Sequence, residues 1–376
     1  MDGAPAAGAV AAGFTLLQRS APLVRALAGR RSAILLPPSG ALVTALAASD
    51  GRGAALLPQT AGRDQLAAIL ADASVGAVFT TRALATRLPS DDRAVVLLDD
   101  APRTATVIAR GVETVVDLGS HFGLDLEGEE DAGSEEECVI SYDSPSAAVR
   151  GVAFTHRNVF ALSRGAVDAT SMIKGDHVLA MLPPHDLAGL AFTIAAPLLA
   201  GARVTTMPAF EASAAVRAIA ATDVSILVGD AAMYAAIAAA IEAHGLVFAT
   251  PVLRVCVCLG DVTVGLQEEW HRLTGVELRQ AIGMPEAPLA LFNAPHFPNR
   301  RGALGVPFPG LQVSVRDAHS GAPIARGAAG ELWLRGDLIS KGALHSANVP
   351  AQAADGWLPT YLSVRERPDG AFERAE

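Results

Sequence analysis

The stretch CVISYDSPSAAVRGVAFTHRN, residues 138–158, decides how this chain folds. It reads as a short buried strand, a loop of small and hydroxyl residues, an Arg-Gly-Val entry to a second strand, and a Thr-His-x-Asn opening to a helix. Strand, loop, strand and helix N-terminus in that order present backbone donors and one cation to a chain of phosphates. Yet residues 143–149 contain no glycine, and a loop without glycine is hard to bring against an anion. The frame of a phosphate site is expected here, with its working parts replaced.

Outward from this stretch, short β-runs alternate with alanine-rich helical segments. The patterning predicts helices over 14–28, 41–48, 65–71, 159–171, 187–199, 212–221, 231–243 and 265–274. It predicts strands over 33–36, 54–57, 77–80, 94–98, 177–181, 202–207, 225–228, 253–258 and 277–281. That rhythm means an α/β fold, with mostly parallel sheets sandwiched by helices. From about residue 300 the texture changes: Gly302, Gly305, Pro307, Pro309 and Gly310 punctuate short strands such as 312–316 and 331–335. Two regions follow, an α/β region over 1–299 and a small, barrel-like β-rich subdomain over 300–376.

The 376 residues suffice for one large α/β domain with a smaller unit, and the 51% hydrophobic share supports a sizeable core. A net charge of −10 argues against a nucleic-acid surface. Much of it is local, since Asp125, Glu127, Glu129, Glu130, Asp131, Glu135, Glu136 and Glu137 crowd one stretch, read as a solvated loop. Of the 29 basic residues only Lys174 and Lys341 are lysines, so an arginine standing at a lysine position needs care. Cys138, Cys256 and Cys258 lie in apolar runs without metal-ligand spacing, which suits buried thiols in a reducing compartment. The N-terminus has no basic region followed by an apolar one, and the uncharged run 187–202 is too short to span a bilayer. A cytoplasmic protein without a membrane span is expected.

The order of these motifs resembles the adenylate-forming superfamily of acyl-CoA synthetases, peptide-synthetase adenylation domains and luciferases. Its phosphate loop reads Tyr-Thr-Ser-Gly-[Ser/Thr]-Thr-Gly-x-Pro-Lys-Gly. Aligned on Gly151, Arg150 stands at the lysine, Val149 at the proline, Ala147 at the second glycine and Ser144 at the first, while Ser146 alone keeps a hydroxyl. Thr155, His156 and Asn158 match the family, although the plainer reading of Thr155 and Asn158 is a helix cap. Residues 182–190, LPPHDLAGL, resemble the acyl-pocket segment Leu-Pro-x-x-His-x-x-Gly-Leu; Asp186 falls where the histidine belongs, with His185 one place earlier and Gly189 kept. The alternative is that His185 and Asp186 merely cap the next helix.

Residues 280–286, QAIGMPE, resemble the family's Tyr-Gly-x-Thr-Glu, in which the ring stacks on adenine, the threonine touches the α-phosphate and the glutamate helps hold magnesium. Ile282 replaces the ring and Pro285 the threonine; Gly283 and Glu286 survive. Glu286 is the magnesium candidate, against a plain role as the acid of a helix N-terminus. Residues 330–336 and Lys341-Gly342 fit a structural strand pair. In 355–362, DGWLPTYL, Thr360 keeps its place but Leu362 stands where the family's aspartate grips both ribose hydroxyls. The family's hinge and lysine-bearing lid would follow Glu376, so no lid domain is expected within this sequence. By resemblance, Ser144, Ser146, Arg150, Gly151, Thr155, Gly283, Glu286 and Thr360 line a nucleotide site, and His185, Asp186 and Gly189 an acyl pocket. ATP or AMP and Mg are the implied cofactors, with their binding weak or lost. The resulting expectation is a degenerate member that holds an acyl, carboxylate or nucleotide ligand or a partner protein. The alternatives are a working carboxylate ligase completed by a partner chain or a further segment, and a scaffold that binds no small molecule.

Overall fold

The runs RSAIL, VGAVFT and AVVLL are apolar at nearly every position, the pattern of strands covered on both faces. In the computed structural model they are neighbouring parallel strands, Arg31–Leu35, Val75–Thr80 and Ala94–Leu98. The structure describes residues 6–49, 51–99, 103–119, 133–142, 149–243, 252–345 and 355–375. Two compact units emerge. One comprises Met1–Val159, Pro183–Leu187 and Ser340–Ser346; the other comprises Phe160–Leu182, Ala188–Ile339 and Ala347–Glu376.

The first unit is built on a nine-stranded sheet. Ala54–Leu56 and then Glu137–Tyr142 continue the parallel set beside Arg31–Leu35. Gly151–Thr155 joins antiparallel, followed by the short edge strand Gly342–Ala343. At the opposite edge lies a hairpin, Thr104–Ala109 and Val112–Asp117, which the sequence patterning did not predict. The helix expected over 14–28 is two helices, Ala6–Arg19 and Ala21–Leu27. Ser20 breaks them: its hydroxyl accepts a 3.3 Å hydrogen bond from Leu23 N–H, and Pro22 sits in the first turn, where its missing N–H does no harm. The acidic stretch is only partly a loop. Glu137 is the first residue of a strand and pairs with Arg31 at 2.7 Å, while residues 125–131 lie outside the described residues.

The second unit carries a seven-stranded sheet. Arg203–Thr206, His177–Ala180, Ile226–Asp230, Val255–Leu259 and Leu278–Met284 run parallel in that spatial order. Ala287–Phe292 and Val306–Pro307 complete it in antiparallel fashion. Helices Ala212–Ala221 and Ala231–Ala243 fall where the sequence places them, and Trp270 and Tyr234 meet edge-on in the core with centroids 4.7 Å apart. The helix expected over 187–199 contains a π-helical segment, Ala191–Ala195, between two α-helical turns. Asp176, 3% exposed, anchors the start of the sheet. It accepts hydrogen bonds from Ile173 N–H (2.8 Å), Ser225 Oγ (2.7 Å) and two nitrogens of Arg254 (2.9 and 2.5 Å). Arg254 also donates to the carbonyls of Thr170 and Ser171.

The β-rich end of the second unit is a four-stranded antiparallel sheet of Leu311–Arg316, Ala329–Gly336, Leu358–Glu366 and Phe372–Arg374. On it the Arg316 guanidinium is sandwiched between Trp333 and Trp357, 4.7 Å from each ring centroid, and Arg335 caps Trp357 at 4.8 Å. A guanidinium stacked on indole faces gains from the ring quadrupoles. Trp357 stands immediately before strand Leu358–Glu366. No helix among the described residues is long and apolar enough to cross a membrane.

Candidate functional site

Ser144 and Ser146 lie outside the described residues. Just after them, Gly151 faces Tyr142 across the antiparallel pair. A Cβ at Gly151 would come within 2.7 Å of the Tyr142 ring and hydroxyl, so glycine lets the two strands close. That hydroxyl donates to Asp72 Oδ2 at 2.7 Å. Arg150 is half-buried at the start of this strand. Thr155 and Asn158 form a reciprocal cap: Thr155 Oγ1 accepts from Asn158 N–H (3.1 Å), and Asn158 Oδ1 accepts from Thr155 N–H (2.8 Å). The 1% exposed Thr155 hydroxyl is thus engaged in starting helix His156–Thr170.

In the expected acyl segment, Asp186 N–H closes a turn on the Pro183 carbonyl (3.1 Å), ahead of the helical turn Leu187–Leu190. His185 accepts a hydrogen bond at its carbonyl from Ser141 Oγ (2.9 Å). Its Nδ1 is buried without a hydrogen-bond partner among the described residues. Burial lowers the imidazole pKa to about 4, so the ring is neutral at pH 7. Gly189 is buried, and its carbonyl accepts from Thr193 Oγ1 (2.7 Å) at the π-helical segment.

Glu286 does not open a helix, the plain role weighed for it. With Pro285 it forms the two-residue turn between Leu278–Met284 and Ala287–Phe292, and Met284 pairs with Ala287 across it. The Pro-Glu dipeptide reads as a helix start, but the following APLALF run pairs as a strand and overrides that signal. Glu286 is 1% exposed. Gly283 sits at the irregularity in this hairpin, where a Cβ would stand 2.1 Å from the Pro288 carbonyl oxygen. Among the described residues no group of three His, Cys, Asp or Glu side chains converges as a metal site.

Ile282, Gly283, Thr360 and Leu362, four positions singled out by sequence, line one cleft of about 250 Å³ within the second unit. Its floor is apolar: Ile282, Met284, Ala290, Leu332 and Leu362. The Thr360 hydroxyl donates to Leu332 O (2.7 Å) and accepts from Leu362 N–H (3.2 Å). Between them Tyr361 adopts a left-handed backbone, φ 56°, with its side chain projecting and the residue 75% exposed. The carboxylate of Glu331 holds it there by accepting Tyr361 N–H at 2.7 Å, while also accepting from Trp333 Nε1 at 3.2 Å. A left-handed conformation is costly for a bulky residue and points to an over-determined site.

Two charged lining residues, Asp261 and Arg374, escaped the sequence reading. Arg374 Nη2 meets both carboxylate oxygens of Asp261 at 2.8 Å, and Gln280 Nε2 adds 3.3 Å to Oδ1. Asp261 follows Gly260, φ 87°, at the carboxyl end of strand Val255–Leu259. A Gly-Asp pair in that place was the available signal, since open α/β sheets take ligands beyond their carboxyl ends. The cleft therefore combines an aliphatic floor, an aromatic edge and one ion pair. Burial pushes the thiols of Cys256 and Cys258, on strand Val255–Leu259, up to about 12.

Residues 23–344 match the family described as AMP-binding enzyme. Novobiocin biosynthesis protein H of Streptomyces niveus is 32% identical over 343 residues, which cover 87% of this chain and 54% of that protein. 4-Coumarate–CoA ligase 2 of Oryza sativa subsp. japonica is 30% identical over 280 residues, covering 68% and 49%. The ATP-bound structure of MatB from Rhodopseudomonas palustris shares the fold, with a TM-score of 0.80 at 19% identity over 97% of this chain and 72% of that one. The chain spans about half the length of the curated relatives it matches. With the motif order, two units of mostly parallel sheet and a match over residues 23–344, the chain belongs to the AMP-binding enzyme family, within the adenylate-forming superfamily.

Proposed function

We propose that this chain is a degenerate adenylate-forming domain that holds a small acyl or nucleotide-like ligand and does not adenylate it unaided. One observation carries the reading: Ile282 and Leu362, which stand at the family's adenine-stacking and ribose-gripping positions, line the same cleft with aliphatic surface. An aliphatic side chain accepts no hydrogen bond from a ribose hydroxyl. A lost charge-assisted hydrogen bond costs about 1.5–3 kcal/mol and a lost aromatic stack about 1 kcal/mol. Pro285 removes a further hydroxyl from the phosphate contacts. At about 1.4 kcal/mol per tenfold, these losses weaken ATP on the order of a thousandfold. In this alignment the side chains at the adenine and ribose positions do not fit ATP in the family's manner, and Glu286 is the carboxylate that the resemblance offers to magnesium.

Calorimetry with MgATP and with a non-hydrolysable acyl-adenylate mimic tests this reading, together with pyrophosphate exchange in the presence of simple carboxylic acids. The expected result is no exchange above background and ATP binding no tighter than millimolar. Micromolar ATP affinity in the unmodified chain would refute the proposal. The double variant Leu362→Asp, Ile282→Tyr is expected to regain nucleotide binding, because both side chains face an existing cleft. A second reading, a ligase completed by a partner chain or a further segment, is favoured by the cleft remaining open where core side chains would otherwise close it. Exchange that appears only on adding such a partner would establish it.

A further inference from the structure

The first unit has a cavity of its own, of about 320 Å³, against the edge of the nine-stranded sheet. Its floor is apolar, formed by Leu70, Val78, Leu88, Val95 and Ile108. Three arginines, Arg63, Arg93 and Arg110, stand around it with one acid, Asp91. Arg93 pairs with Asp91 and donates Nε to Val75 O at 3.1 Å. Arg63 spends one nitrogen on Thr86 O at 2.8 Å. No side-chain hydrogen bond or ion pair with a described residue engages Arg110. Among the described residues, two of the three guanidinium charges are therefore not balanced by a carboxylate at the cavity.

The backbone at Arg110 is the independent observation. Ala109 pairs with Val112, so Arg110 and Gly111 alone make the hairpin turn, with φ of 51° and 75°. Turns with both central residues left-handed favour Asn-Gly or Gly-Gly, because a larger side chain at the first position is strained. Arginine is thus the wrong residue for the turn and the right one for the cavity it lines. We propose that this cavity binds an organic anion, its carboxylate or phosphate head on Arg110 and Arg63 and a short apolar body on the Leu70–Val95–Ile108 floor. Guanidinium forks suit both heads, and a body of a few carbons buries the floor.

Calorimetry on the full chain with octanoate, octyl phosphate and inorganic phosphate tests it. Octanoate or octyl phosphate is expected to bind one site, more tightly than inorganic phosphate, and whichever is tighter identifies the head. Arg110→Asn is expected to weaken that binding by about tenfold or more while leaving Tm unchanged or higher, since asparagine suits the turn. Arg110→Lys is expected to retain part of the affinity. Three results would each overturn the proposal: no binding by either octyl probe, equal binding in Arg110→Asn, or loss on Leu362→Asp instead, which would put the probe in the other cleft. Inorganic phosphate binding as tightly as octyl phosphate would also refute it, because the floor would then contribute nothing.

Discussion

Replacing Asp176 by asparagine tests whether the second unit is pinned where its parallel sheet begins. The carboxylate is 3% exposed and accepts four hydrogen bonds, from Ile173, Ser225 and two nitrogens of Arg254. Burial alone raises its pKa, but the hydrogen bonds from Arg254, Ile173 and Ser225 and the Arg254 charge outweigh that and hold it below the ordinary carboxyl range. Asparagine keeps the shape, removes the charge and sets an NH₂ group against donors. Breaking a buried ion pair from one side costs about 3–5 kcal/mol. The Arg254 side chain is 36% exposed and regains water, so about 2–3 kcal/mol is expected. For a unit of this size that is a Tm drop of about 4–12 °C. Calorimetry at neutral pH reads the drop directly. The carboxylate's contribution is present above the unfolded pKa near 3.8 and is lost as pH falls through the lower folded value. The variant's deficit must therefore shrink in strong acid. A deficit under about 1 kcal/mol at pH 7, or one independent of pH, would refute this account of the anchor.

Tyr361→Gly is expected to raise stability by about 0.5–1 kcal/mol, the left-handed strain relieved less the glycine entropy, and denaturant titration checks it. A loss of stability would mean that the exposed ring makes packing contacts the strain argument ignores. Gly283→Ala should destabilise by about 1–3 kcal/mol, because its Cβ meets backbone rather than a movable side chain, and thermal melts read this. His185 has a folded pKa near 4, below its unfolded value of 6.5, so the unfolded state binds the extra proton first. Stability should fall as pH drops from about 6.5 to about 4, and His185→Phe should flatten that segment of the Tm–pH curve.

Where the apolar signal was two-sided and punctuated, sequence located the elements closely: Ala94–Leu98, Ala212–Ala221 and Ala231–Ala243 lie where expected. The hairpin 104–117 escaped because it is an edge, with Val112 and Val115 more than 60% exposed and no helix to set a rhythm. Strand Ala287–Phe292 escaped because a Pro-Glu dipeptide suggests a helix start, whereas pairing with Leu278–Met284 made it a turn. At the site, motif order brought Ile282, Gly283, Thr360 and Leu362 to one cleft. It did not reveal Asp261 and Arg374, joined across 113 residues by a contact no local pattern encodes. Nor did it separate ligand duty from capping at Thr155, which only the reciprocal bonds with Asn158 make visible.

The stacked ladder of Trp333, Arg316 and Trp357 gives the protein a natural optical reporter. Two of its three tryptophans share one cation, and the third, Trp270, is sealed in the core against Tyr234. Trp357 directly precedes Leu358–Glu366, the strand that carries Thr360 to Leu362 into the cleft. A ligand that shifts this strand would change how the guanidinium quenches its two indoles while the core fluorophore stays constant. Occupancy should therefore register as a change in emission intensity with little movement of the buried component, and no dye need be attached.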